Sequence, residues 1–172
     1  VTGSILLNDL PAAGEIVLSS YAAQLAAEGV AVPGAQYVAP GSGAQAIAWD
    51  SEQLSVAVGV ISQGIPGALF AGTQHPAAAL LTIQFAVILL RKIPALSGDG
   101  LAKTMIPKPA QIDKAGQTNL ADLAALANAA IKLHAAGTFQ PVGVGQAIDS
   151  IVPLGPEGGL AGARLLFSVS LS

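Results

Sequence analysis

The sequence predicts an α+β fold: a mostly antiparallel sheet packed by two main helices. Two segments carry helical hydrophobic periodicity, three carry alternation and a fourth reads as a strand beside the last of them, so the order is helix, two strands, helix, two strands. That order favours antiparallel neighbours over a doubly wound parallel sheet. At 172 residues the chain reads as one domain, 1–172, with loop-rich segments near 30–48 and 63–76.

The first helix is announced by Asp9 as N-cap, with Pro11 in the first turn, where a missing N–H costs little. Leu10, Val17, Leu18, Tyr21 and Leu25 fall on one face, and Gly29 and Pro33 end the pattern. The stretch VPGAQYVAPGSGAQ is dense in turn residues and reads as a loop, with room for at most a short strand around Tyr37. From Gln53 to Ser62 the chain alternates, with Leu54, Val56, Val58 and Val60 on one face and Ser55, Ala57 and Gly59 on the other. QGIPGALFAGTQHP, Gln63 to Pro76, is a long connection.

A second strand places Leu81, Ile83, Phe85, Val87 and Leu89 inward and Thr82, Gln84 and Ala86 outward. Its end, Ile88 to Leu90, is apolar on both faces, so both faces are expected to be covered there. The second helix is predicted from near Asp113 to Ala136, with a wide stripe of Leu120, Leu123, Leu126, Ala127, Ala130, Ile131, Leu133 and His134. Gly137 is its natural stop. Val142 to Pro153 and Leu160 to Leu171 are the last two strands, joined by a turn at GPEGG. In the final strand Ala161, Ala163, Leu165, Phe167, Val169 and Leu171 share one face, and Arg164, Ser168 and Ser170 the other.

Composition narrows the function. Hydrophobic residues make up 52% and charged residues 10%, against roughly 25% charged in an ordinary soluble domain. A surface so poor in charge exposes apolar or small-residue area, which points to burial in an oligomer or larger assembly. The most apolar window, Ala77 to Leu90, is 14 residues long and contains Thr82 and Gln84; a spanning helix needs ~20, so no membrane partner is expected. The N-terminus lacks the basic-then-apolar order of a secretory signal, and with no cysteine there is no disulfide framework. Synthesis in the cytoplasm is the expectation. The formal charge is −3, and among the seven basic residues only Arg91 and Lys92 are adjacent, which argues against a DNA-gripping surface.

Catalytic arrangements fail on inventory, and the chain reads as non-enzymatic, with no cofactor and no metal. Only His75 and His134 offer imidazoles; one precedes Pro76 in a loop and the other lies beside the apolar stripe of a helix. Neither has a carboxylate at ligand spacing. PGSGAQ, GDGLAK and GVGQAI lack the Lys-Ser/Thr of a phosphate loop and the GxGxxG spacing between strand and helix. Ser42 has no assignable base. Asp50 and Glu52 flank Ser51, and Asp99 and Glu157 lie in turns, where solvated charge is the plain reading. Trp49, the only tryptophan, reads as a core or interface anchor.

Four features in this order carry a family resemblance: a strand opening with Glu52-Gln53-Leu54, the GIPG turn at 64–67, a strand ending at Arg91, and a helix followed by a strand pair turned by GPEGGLAG. In this the chain resembles the tail terminator proteins of long, non-contractile-tailed phages, especially those infecting actinobacteria, over roughly Asp9 to Leu171. Ser51 stands where that family often carries a cysteine. The resemblance implies a virion protein, assembled in the host cytoplasm, that forms a six-membered ring on the head-proximal end of the tail tube. The ring stops tube polymerisation and docks the head-side connector, and DNA passes its lumen without specific binding. Interface residues implied on this reading are Trp49, Ile65, Leu69, Phe70, Glu157 and Arg164, with Glu157 at the rim or lumen. The alternatives are another head-tail connector, such as a stopper, a tail-tube subunit, or a small-ligand-binding domain with its pocket under the 63–76 loop.

Overall fold

The computed structural model describes residues 9–40, 51–63, 81–93, 108–143, 145–157 and 159–171. Within them the order is α1 (Leu10–Ala27), β1 (Ala35–Pro40), β2 (Gln53–Gln63), β3 (Leu81–Lys92), α2 (Pro109–Ala135), β4 (Gly145–Glu157) and β5 (Leu160–Leu171). The strands form one sheet in the order β1-β2-β3-β5-β4, antiparallel throughout except for the β1–β2 pair. The fold is α+β, as the sequence predicts. The strand β1 corrects the loop reading of 30–48: Ala35 to Pro40 pair in parallel with Gln53 to Val58. Six residues with a proline at the end carry too short a pattern to read as a strand, and it is pairing with the β2 edge that fixes them.

Both helices end in the same way. After α1, Gly29 takes a φ of +79°, Val30 N–H donates to Leu25 C=O and Gly29 N–H to Ala26 C=O. After α2, Gly137 takes a φ of +66°, Thr138 N–H donates to Leu133 C=O and Gly137 N–H to His134 C=O. Each is a Schellman ending that satisfies carbonyls the helix leaves orphaned. At its other end α2 starts at Pro109, four residues before the sequence expectation, because Gln111 Oε1 accepts from Lys108 N–H at 2.8 Å and closes the first turn.

One face of the sheet carries both helices. Leu54 and Val56 of β2, Ile83, Phe85, Val87 and Leu89 of β3, and Ala163, Leu165, Phe167 and Val169 of β5 pack against α1 and α2 in a single core. From α1 the core takes Ala13, Val17, Leu18, Tyr21 and Leu25; from α2 it takes Leu126, Ala129, Ala130 and Leu133. Phe167 stacks on Phe85 and on Phe139, each at 5.2 Å between ring centroids, and meets the edge of His134 at 5.1 Å. Tyr21 stacks on Phe139 at 5.8 Å. The α2 stripe is narrower than its sequence suggests: Leu120 and Ile131, expected inward, are 65% and 60% exposed. Asp122, Leu126, Ala129, Ala130 and Leu133 hold the helix to the sheet, and that choice of face turns the other two out.

The opposite face is buried at Ile88, where the sequence expects cover, and also at Ser55, Ala57, Thr82, Ala86, Ser168 and Ser170, which alternation alone sets on the face away from the helices. Ile88 is 1% exposed, and Ala57, Ala86, Ile88, Leu90 and Leu160 form a second cluster with Leu154 and Leu166 against it. Farther along this face, Asp149 accepts hydrogen bonds from Ser168 Oγ and from Gln84 Nε2.

Two outcomes follow from the aromatic cluster. Phe167→Ala removes the ring that joins β5 to β3, α1 and the 136–142 turn, and is expected to cost about 3–5 kcal/mol in urea unfolding; a loss below about 1 kcal/mol, the range of ordinary surface changes, contradicts that role. Burial holds the His134 imidazole below its ordinary pKa, so the folded chain binds that proton less readily than the unfolded chain. Its contribution to stability is full above about pH 6.5 and is lost as pH falls through the lowered folded value. Stability measured against pH should therefore fall less steeply below about pH 6.5 in His134→Gln than in the natural chain, and equal slopes contradict it.

Candidate functional site

The antiparallel pairing of β2 and β3 sets Gln53 opposite Leu90, so the start of one strand and the end of the other lie side by side. The two sequence features at those ends, Glu52 and Arg91, are thereby brought together, with Arg91 Nη1 3.7 Å from Glu52 Oε2. Arg91 also meets α2: its Nε donates to Asp122 Oδ2 at 2.8 Å and its Nη2 to Asp122 Oδ1 at 3.3 Å. The side chains of Arg91 and Asp122 are 12% and 7% exposed, whereas Glu52 is 44% exposed. A bidentate, nearly buried pair fixes the height and rotation of α2 over the sheet. Glu52 lies at the rim, and its Oε1 accepts from Lys92 N–H at 3.3 Å.

Beside this triad lies a cleft of about 370 Å³, between the N-terminal half of α2 and the ends of β2, β3 and β5. Glu52, Arg91, Lys92 and Ile93 form one side, Gln111, Lys114, Ala115, Thr118 and Asn119 the other, and Ala161 belongs to β5. Neither Lys92 nor Lys114 has an ion-pair partner among the described residues. The Thr118 hydroxyl is spent on Lys114 C=O at 3.0 Å. Among the described residues the lining holds no imidazole or thiol. Among the described residues no group of three or more His, Cys, Asp or Glu could hold a metal ion, and no helix is long and apolar enough to cross a membrane. This arrangement can bind and position.

Of the residues singled out as interface from the sequence, Trp49, Ile65, Leu69 and Phe70 lie outside the described residues, as does His75. Glu157 is the last residue of β4 and pairs with Leu160 across the final turn. Arg164 stands between Ile88 and Val152 on the helix-free face, and its Nε is buried without a hydrogen-bond partner. The structure does not bring Arg164 and Glu157 to one place: Glu157 pairs with Leu160, and Arg164 lies four positions farther along β5. Sequence reasoning passed over Asp122 and Lys114. The available signals were a carboxylate one turn before Leu126 on the apolar stripe, and Arg91-Lys92 as the only adjacent basic pair.

The buried pair gives a third prediction. Asp122→Ala strands the Arg91 guanidinium in a site nearly closed to water and is expected to cost about 3–5 kcal/mol, while Glu52→Gln at the exposed rim costs under about 1 kcal/mol. Urea unfolding of both variants checks the order; equal losses contradict it.

No family model matches the chain, and no curated protein is similar enough to it to count as a relative.

Proposed function

We propose that this chain is a structural subunit of a phage particle, of the tail terminator kind. It closes a ring on the head-proximal end of the tail tube, stops tube growth and receives the head-side connector. One observation carries the reading: α2 turns Ile112, Leu120 and Ile131 to solvent at 56%, 65% and 60% exposure, on a chain with only 10% charged residues. Leu120, Ala124, Ala127 and Ile131 follow one another at spacings of four, three and four, the seam by which helices pack on helices. Apolar side chains in such a row are stable when covered, and contact with neighbouring copies or with the tube covers them.

The remaining features agree with an assembly role. The segment order and the turns GIPG and GPEGGLAG resemble those of tail terminators. A net charge of −3 lets DNA pass a lumen without being held. Six copies are implied by that resemblance alone, as are the tube protein and the connector as partners.

Silencing the gene in a phage-producing strain and measuring tails by negative-stain microscopy tests the proposal. Overlong or ragged headless tails are the expected result. Tails of normal length that fail to join heads would move the chain to the connector side, and absence of tails would make it a tube subunit. Normal infectious particles would remove the structural reading altogether.

A further inference from the structure

We infer that the cleft between α2 and the ends of β2 and β3 is a binding site for a small organic anion bearing a carboxylate or phosphate. The inference does not rest on the assembly reading. It begins with the donors of Arg91. A guanidinium has five N–H groups, and Asp122 takes two of them, one from Nε and one from Nη2, side-on. Glu52 lies 3.7 Å from Nη1, an ion pair beyond hydrogen-bond reach. Among the described residues the end-on fork, one N–H from each terminal nitrogen, is therefore free of hydrogen bonds, and a second two-oxygen anion matches its geometry.

The surroundings favour that anion. Counting the described residues, Asp122 neutralises Arg91, and Glu52 at the rim leaves the triad at −1; the ammonium groups of Lys92 and Lys114, without ion-pair partners among those residues, bring the sum to +1. Both lysines belong to the same lining, one from β3 and one from α2, so an anion between them gains from each. Asn119 adds a carboxamide whose Oδ1 is buried without a partner. Turning that amide over presents its NH2 instead, the donor an anion requires. Ile93, Ala115 and Ala161 supply an apolar floor, which suits a ligand with a short carbon body. A volume of about 370 Å³ accommodates a metabolite-sized molecule.

A free organic anion and an acidic side chain of a second copy share this chemistry. Succinate and inorganic phosphate are the probes, titrated into the full chain by calorimetry at constant ionic strength, with chloride as the control. Saturable binding of either probe to monomeric protein is expected and assigns the site to a free anion. If succinate instead dissociates an oligomer in ultracentrifugation, the anion is a neighbour's carboxylate, and the site stands. In both cases Lys92→Met with Lys114→Met should weaken the effect about tenfold or more. Both side chains are exposed or unpaired, so the variant should unfold at the natural temperature. No effect of either probe beyond that of chloride, or an equal effect on the double variant, overturns the inference.

Discussion

The stack of Phe167 on Phe85 and Phe139 is the interaction on which the rest of the architecture depends. Phe167 lies in β5, Phe85 opposite it in β3, and Phe139 in the turn that follows α2, so one ring ties the centre of the sheet to the second helix. Tyr21 reaches the same group from α1, at 6.1 Å from Phe167, so all three layers of contact converge there. The hydroxyl of Tyr21 is buried without a hydrogen-bond partner among the described residues, and burial raises its pKa.

From this centre the sheet extends to two edges of different kinds. β1 is a short parallel strand. β4 is 13 residues long, yet its register with β5 shifts between Ile148 and Ser150 and again between Leu154 and Glu157, and it carries Pro153. Bulges and proline spoil an edge as a template for another strand. The first shift also has a local use, since the residue it releases, Asp149, accepts hydrogen bonds from Ser168 and Gln84. With the long edge blunted in this way, the exposed apolar row of α2 is the better-formed contact surface among the described residues.

Much of this was legible in the sequence for reasons that are physical. β2, β3 and β5 each set one clear alternating apolar face against the helices, and period-two patterns fix both the element and its facing, although much of their other face is buried as well. Both helix stops were marked by the glycines that take positive φ. β1 was legible only as room for a short strand around Tyr37, because six residues between turn formers carry too little pattern and the neighbouring strand decides their conformation. The α2 face was misjudged at Leu120 and Ile131, since an alanine-rich helix has several plausible stripes. A long-range ion pair, Arg91 with Asp122, selects among them, and no local pattern encodes a contact across 31 positions. The cleft was illegible for the same reason: its lysines come from separate elements that only the pairing of β2 and β3 and the docking of α2 bring together.

The place proposed for this chain in a phage particle is tested most directly by a cryo-electron microscopy reconstruction of the head-tail junction of a phage that carries it. Density for this fold, helices on one face of a five-stranded sheet, is expected in a single closed ring between the last tube layer and the connector. The exposed row of Leu120 and Ile131 should be covered there by another chain. Density for the fold repeating along the tube, or its absence from the particle, would overturn that placement.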